Sequence, residues 1–266
     1  MRSGTATREG AMSPPLLIAW GVMIEIFRRK EFYVLLIIMS LFGVGVLISR
    51  MSTENTPESG AFIVNLGMSM AFLFSAILVI ITSGRQLPAE FEQRTIYPLL
   101  AKPVTRAQLL VGKWIATSAT AVASMLILFL IAYLPSPKSP DLSGLLLLQA
   151  LLAKAIGLAL LGALGILFSL LLPKALNLVL LAMLYTGSGV LANFIRAKAL
   201  KTSGEAAINW VVRYIPNFDL LDLAKRYADG APAVSGPQFL GMVGYGIVAT
   251  IFLLSVSCLI FDRRTL

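Results

Sequence analysis

The sequence predicts an all-α integral membrane protein with six transmembrane helices. Of its 266 residues, 58% are hydrophobic and only 13% are charged, whereas a water-soluble domain usually carries about 25% charged residues. Six apolar stretches are long enough to cross a bilayer core, which needs about 20 residues per helix. Each stretch ends at a charged residue or at a Pro/Gly turn, as expected for helices that cannot expose backbone polar groups to lipid.

The region before the first span divides into two parts. Residues 1–12 are polar and are predicted to form a disordered tail. Residues 13–31 are predicted to form an amphipathic helix in the membrane interface, with Ser13 as its N-cap. This helix either orients the chain or also contacts a cytoplasmic partner. The residues expected to act at the interface are Trp20, Glu25, Arg28, Arg29 and Lys30.

A six-helix transmembrane domain is predicted for residues 32–266. Charges such as Glu31 and Arg50 mark the ends of its spans. The spans cover about 32–49, 60–84, 114–134, 155–172, 175–195 and 237–261. Small residues within the spans permit close helix contacts and are candidates for a dimer seam. They are Ala155, Ala159, Ala163, Gly241 and Gly244.

The start of the fourth span depends on Lys154. A helix that began at Leu145 would carry this lysine about 13 Å along its axis, where a charge costs about 2.5–3.5 kcal/mol on insertion scales. A span that starts near Ala155 avoids this cost, and residues 142–153 would then lie at the interface. Lys154 either snorkels to the interface or contacts a substrate or lipid head group.

Basic residues in the loops predict that both termini are cytoplasmic. Residues 1–31, residues 85–113, Lys174 and the C-terminal tail hold 13 basic residues together, whereas the opposite short loops hold 3. Residues 196–236 disagree, because they carry basic residues on the predicted outer side. Long loops follow the rule less strictly, so the predicted orientation stands.

The cytoplasmic segment 85–113 is too long and too charged for a simple connector. A short helix is predicted to begin near Ala89 and to break at Pro98. Thr105 and Gln108 have the spacing of a capping box, which would start the helix that leads into the third span. A helix, an elbow and a second helix with charges of both signs would suit docking onto a soluble protein, and a solvated loop is the alternative.

The motif order in this loop is an acidic pair, a threonine, an apolar pair, Lys-Pro-Val-x-Arg and Gly-Lys. In this order the loop resembles the first cytoplasmic loop of type-2 ABC transporter permeases. The resemblance implies six spans, an interfacial N-terminal helix and a coupling helix between helices 2 and 3 that docks onto an ATPase subunit. By resemblance, the docking residues are Glu90, Glu92, Arg94, Thr95, Pro103 and Arg106.

The resemblance also implies the partners of the chain. We expect two copies of an ABC ATPase subunit, a second permease copy or a homologous permease, and membrane lipids, but no nucleic acid. ATP and Mg would bind in the partner ATPase, and no cofactor is expected in this chain. The expected activity is export of an unidentified substrate across the bacterial plasma (inner) membrane.

Residues 196–236 carry aromatic side chains typical of an interface belt. Pro216 is predicted to end one short helix, and Asp219 to Tyr227 could form a second. The resemblance implies an outer gate at Trp210, Tyr214, Pro216, Asn217 and Phe218, and an aromatic-anchored surface loop is the alternative.

Several function classes are excluded or disfavoured. The chain has no histidine and one cysteine, so Ser-His-Asp and Cys-His catalysis and most zinc sites are excluded, and neither catalytic residues nor a metal site are assigned. The only Gly-Lys pair is Gly112-Lys113, and Ala107 and Trp114 break the phosphate-loop pattern. The six spans contain no acidic residue, which disfavours an ion-driven secondary transporter. The remaining alternative is a non-transporting membrane scaffold that recruits a cytoplasmic partner through residues 85–113.

Overall fold

The computed structural model describes residues 14–52, 57–92, 105–134, 144–199, 216–228 and 231–263. Within these ranges every regular element is a helix, and there is no strand. The helices are α1 (Pro14–Phe27), α2 (Lys30–Ser52), α3 (Pro57–Glu92), α4 (Arg106–Tyr133), α5 (Gly144–Leu171), α6 (Lys174–Ala199), α7 (Ala224–Ala228) and α8 (Gly236–Arg263). A short 3₁₀ helix, Phe218–Leu221, precedes α7.

Four helical stretches in the described residues are long and apolar enough to cross a membrane. They are Asn65–Gly84, Arg106–Tyr133, Gly144–Leu171 and Gly236–Arg263. Shorter apolar stretches, Phe32–Gly45 and Lys174–Gly187, lie in α2 and α6. Each of the six predicted spans therefore overlaps a helix, although α5 begins before the predicted fourth span.

Helix α5 lies at the centre of the bundle and contacts α3, α4, α6, α7 and α8. In the most apolar 18-residue stretch of α5, 67% is buried inside the protein, whereas the corresponding share for α8 is 17%. Leu158 and Leu161 of α5 pack with Phe72 of α3 and Met125 of α4 in the main core. A smaller core joins α4, α5 and α8 where α4 begins and α8 ends. The outward sides of α2 and α8 are apolar, as lipid-facing helices require.

The prediction for the 85–113 loop differs from the structure on the α3 side and agrees with it on the α4 side. Helix α3 runs without a break through Glu92, so no separate helix begins near Ala89. Continuing a helix already formed avoids the cost of a second nucleation event. The capping box at the start of α4 is confirmed, because Gln108 N donates to Thr105 Oγ1 at 3.2 Å and Thr105 N donates to Gln108 Oε1 at 3.0 Å.

Candidate functional site

Residues 216–228, which begin with the predicted gate residues Pro216, Asn217 and Phe218, fold back against the helix bundle. This segment contacts α3, α5, α6 and α8. Asn217 N donates to the Tyr245 hydroxyl of α8 at 3.0 Å, and Asn217 Oδ1 accepts a hydrogen bond from Asp219 N at 3.1 Å. The predicted second helix is interrupted, because Asp222 and Leu223 separate the 3₁₀ helix from α7.

A buried ion pair joins this segment to α5. Lys154 Nζ lies 2.7 Å from Asp222 Oδ2, and Lys154 as a whole is only 4% exposed. The other oxygen of Asp222, Oδ1, accepts a hydrogen bond from Ala224 N at 3.0 Å. This bond holds the carboxylate in place at the break before α7. The pair is unevenly buried, since the Asp222 side chain is 37% exposed and that of Lys154 only 5%.

Aromatic rings complete the surroundings of the Lys154 ammonium group. Nζ lies 4.8 Å from the ring centroid of Phe72 on α3 and 5.2 Å from that of Tyr185 on α6. Both distances are within the range of cation–π attraction. Phe218, which is buried, lies behind Tyr185 with 5.8 Å between ring centroids. We call Lys154, Asp222, Phe72 and Tyr185 the Lys154 cage.

The cage changes the interpretation of Lys154. Helix α5 begins at Gly144 and not near Ala155, so the lysine has about 15 Å of helix before it. Its ammonium group is buried in protein, and the predicted snorkelling is therefore wrong. A carboxylate and two aromatic faces stabilise the charge where it lies. The cost of an unpaired lysine, which favoured a fourth span that starts near Ala155, therefore does not apply.

A second polar contact fixes the chain between α7 and α8. Gln149 of α5 donates from Nε2 to the Val234 carbonyl, and Val234 N donates back to Gln149 Oε1, both at 2.9 Å. Both residues are buried.

At the end of the 216–228 segment, burial raises the pKa of Tyr227 to about 12, with a further contribution from Tyr133, so this phenol stays neutral near pH 7.

We expect Gln149→Leu to destabilise the protein by about 1–3 kcal/mol, because it leaves a buried N–H and a buried carbonyl of Val234 without partners. Thermal unfolding of the purified chain in detergent measures this loss. Gln238→Leu is the matched control, since Gln238 is exposed on α8. Equal melting temperatures for the two variants would contradict the role assigned to Gln149.

The predicted docking residues are only partly described. Glu90 and Glu92 belong to the last turn of α3, whereas Arg94, Thr95 and Pro103 lie outside the described residues. Arg106 opens α4, and its Nη1 donates to the carbonyl oxygens of Phe261 at 3.1 Å and Asp262 at 3.4 Å. The guanidinium also lies 5.7 Å from the Phe261 ring centroid. A cation at the C-terminal end of α8 is favoured by the helix dipole, so Arg106 ties the exit of the loop to the last helix.

The N-terminal helix packs on α4 at a close contact. A methyl group added at Gly112 would lie 2.9 Å from the Pro15 carbonyl oxygen. Ala19 and Ile26 are buried, whereas Trp20 is 55% exposed. The helix is therefore apolar on its outward side as well. Polar residues concentrate at the junction of α1 and α2, where Arg29 pairs with Glu25 and both Arg28 and Lys30 are exposed.

Not all predicted gate residues belong to the cage. Phe218 lies beside it, Pro216 and Asn217 lie at the start of the segment, and Trp210 and Tyr214 fall outside the described residues. Sequence reasoning missed Asp222 and Gln149, and it did not connect Tyr185 with Lys154. Among the residues that the structure describes, no group of three or more metal-binding side chains comes together.

The comparison with known families decides the family of the chain. A family model described as "ABC-2 family transporter protein" matches residues 16–266. The chain belongs to the ABC-2 transporter family. It is therefore a multi-pass membrane protein and a permease component of an ABC transporter. A search of curated proteins found no significant match.

Proposed function

We propose that this ABC-2 permease forms a transmembrane export pathway and couples it to ATP hydrolysis in a separate ATPase subunit. The family match over residues 16–266 is the observation that carries the proposal. In the proposed topology, α2, α3, α4, α5, α6 and α8 cross the bacterial plasma membrane and both termini are cytoplasmic. The bias of basic residues between the loops supports this orientation.

The proposed complex contains two ATPase subunits, which bind ATP and Mg, and a second copy of this chain or a homologous permease. Closure of the ATPase subunits would push the 85–113 loop and α1, and the pathway between the two permeases would alternate between its two sides. The cargo enters from the cytoplasmic side and leaves at the outer side.

The contacts of α4 offer a route for this push. Arg106 joins the exit of the loop to the carbonyl oxygens at the end of α8, and Gly112 lets α1 pack closely on the same helix. A displacement of the loop would therefore move α1, α4 and α8 together. In the N-terminal half of α8, the Tyr245 hydroxyl accepts a hydrogen bond from Asn217 N of the proposed outer gate.

Charge reversal at the end of α3 tests the coupling. We expect the double variant E90K/E92K to lower the ATP turnover of the purified complex several-fold, because like charges placed across a docking surface repel. The measurement is phosphate release by the permease–ATPase complex in lipid nanodiscs. Thermal unfolding of the permease should stay unchanged.

The matched control is E54K/E58K, which makes the same charge change near the opposite end of α3. This variant should keep the wild-type turnover. Unchanged turnover in E90K/E92K would overturn coupling through this loop. Failure of any Walker-A-bearing ATPase to co-purify with the permease would overturn the transporter proposal itself.

A further inference from the structure

Two walls of the Lys154 cage lie on long helices, and the third, Asp222, lies on a short connecting segment. Lys154, Phe72 and Tyr185 lie on the long helices α5, α3 and α6. Asp222 lies instead on the segment between α6 and α8, at a break between two short helices. The single carboxylate of the cage therefore lies on the same short segment as Asn217 and Phe218 of the proposed outer gate.

Opening of this gate would separate the Lys154 ammonium group from the Asp222 carboxylate. A buried cation that loses its carboxylate partner is strongly destabilised, and the cost is higher still within a membrane protein. Lys154 is almost wholly buried with Asp222 in place. An anion that took the place of the carboxylate would remove the cost of separating the pair.

The rest of the surroundings is apolar. Phe72 and Phe218 are part of the main core. Pro216, at the start of the segment, borders an apolar cavity of about 450 Å³ that is separate from the cage and is also lined by Leu164 and Phe252. A ligand that suits both features carries a compact anionic group on an apolar body.

We propose that Lys154 binds the phosphate or carboxylate head group of an anionic amphiphile, and that this head group exchanges with Asp222 when the outer gate opens. This inference rests on the proposed function, because it names the class of cargo. Asp222 acts as the resting-state substitute for the anion of the cargo. The exchange involves no covalent step.

The experiment uses the permease–ATPase complex in nanodiscs of zwitterionic lipid. Four probes are compared: dodecyl phosphate, dodecanoate, dodecyltrimethylammonium and inorganic phosphate. We expect the two anionic amphiphiles to stimulate ATP turnover and the cationic one to have no effect. Inorganic phosphate should need at least about tenfold higher concentration, because it lacks the apolar body. Equal potency of inorganic phosphate would overturn the amphiphile assignment.

The charge-swapped variant K154D/D222K keeps the pair but inverts its polarity. We expect its response to invert, so that the ammonium probe stimulates turnover and dodecyl phosphate binds at least about tenfold more weakly, as like charges repel. K174Q, which removes an exposed lysine from α6, is the control and should respond as the wild type. A folded swap that still prefers dodecyl phosphate would overturn the proposal and leave a purely structural pair.

A neutral double variant and a binding assay on the isolated permease also test the anion site. If the swap does not fold, the neutral variant K154Q/D222N replaces it and should lose all discrimination between the amphiphiles; retained discrimination would overturn the proposal. Binding of the same probes to the isolated permease is followed by the shift of its melting temperature. The proposed anion site fails if the wild type and the neutral variant respond identically. The binding result for the isolated permease does not depend on the proposed function. The proposed function fails if the ATP turnover of the ATPase subunit does not depend on the permease.

Discussion

Replacing Asp222 by alanine should destabilise the permease by about 3 kcal/mol or more, because the substitution strands a buried cation. The Lys154 side chain is only 5% exposed, and the two rings beside it stabilise the charge less than a carboxylate does. Asp222→Ala also removes the acceptor for Ala224 N, which holds the start of α7. Unfolding of the purified permease in mixed micelles with increasing SDS measures the loss.

Removing the other partner should cost less. Lys154→Met leaves Asp222 alone, but its side chain is 37% exposed, so water can solvate the carboxylate. The double variant K154M/D222A leaves no stranded charge and should be more stable than Asp222→Ala alone. Additive effects of the two substitutions would contradict the pair, because residues that interact directly show a coupling energy in a double-mutant cycle.

Local patterns in the sequence were sufficient to predict the six long helices, although not all of their limits. Long apolar runs bounded by charges correspond to helices because burial and backbone satisfaction both depend on residues that are close in sequence. The capping box of Thr105 and Gln108 was predicted for the same reason, since its partners are three residues apart. The family resemblance drawn from the 85–113 loop is confirmed by the family match.

The site could not be predicted in the same way. Lys154 and Asp222 are 68 residues apart, and Tyr185 lies on a third element, so no local pattern joins them. A lysine without a partner at that depth is costly, and the prediction moved the helix start to avoid the cost. The better inference from the same observation was a buried counterion, and an aspartate in the connecting segment was its available source.

The small residues illustrate the same limit. The sequence named Gly241 and Gly244 as residues that permit close helix contact or form a dimer seam. Within the described parts of this chain a methyl group added to either would meet nothing within 4 Å, and the dimer seam stays a prediction. Ala159 does lie at an interface, since its carbonyl accepts a hydrogen bond from the Trp114 indole at 2.9 Å. Which glycine faces a neighbouring helix depends on the rotation of each helix, and apolar composition alone does not fix that rotation.

Gly165→Ala should therefore have a large effect. A methyl group at this position of α5 would overlap the side chain of Ser83 on α3, with its Cβ only 2.6 Å away, and would lie 3.2 Å from Leu181 on α6. The Gly165 carbonyl also accepts a hydrogen bond from Asn177 Nδ2 at 3.3 Å, so three helices meet here. Overpacking of a core costs about 1–3 kcal/mol, and we expect a loss near the upper limit, measured as a lower melting temperature in detergent.

Two variants separate overlap from any general effect of alanine in a helix. Gly244→Ala is the matched control; it should be neutral or slightly stabilising, because alanine is favoured over glycine in helices by about 1 kcal/mol and the position has open space. Ser83→Gly combined with Gly165→Ala removes the overlapping side chain and should recover most of the loss, less the cost of glycine in α3. If the double variant were less stable than Gly165→Ala alone, overlap with the Ser83 side chain would not explain the loss of stability. The close approach of α3 and α5 would then not be what excludes alanine from position 165.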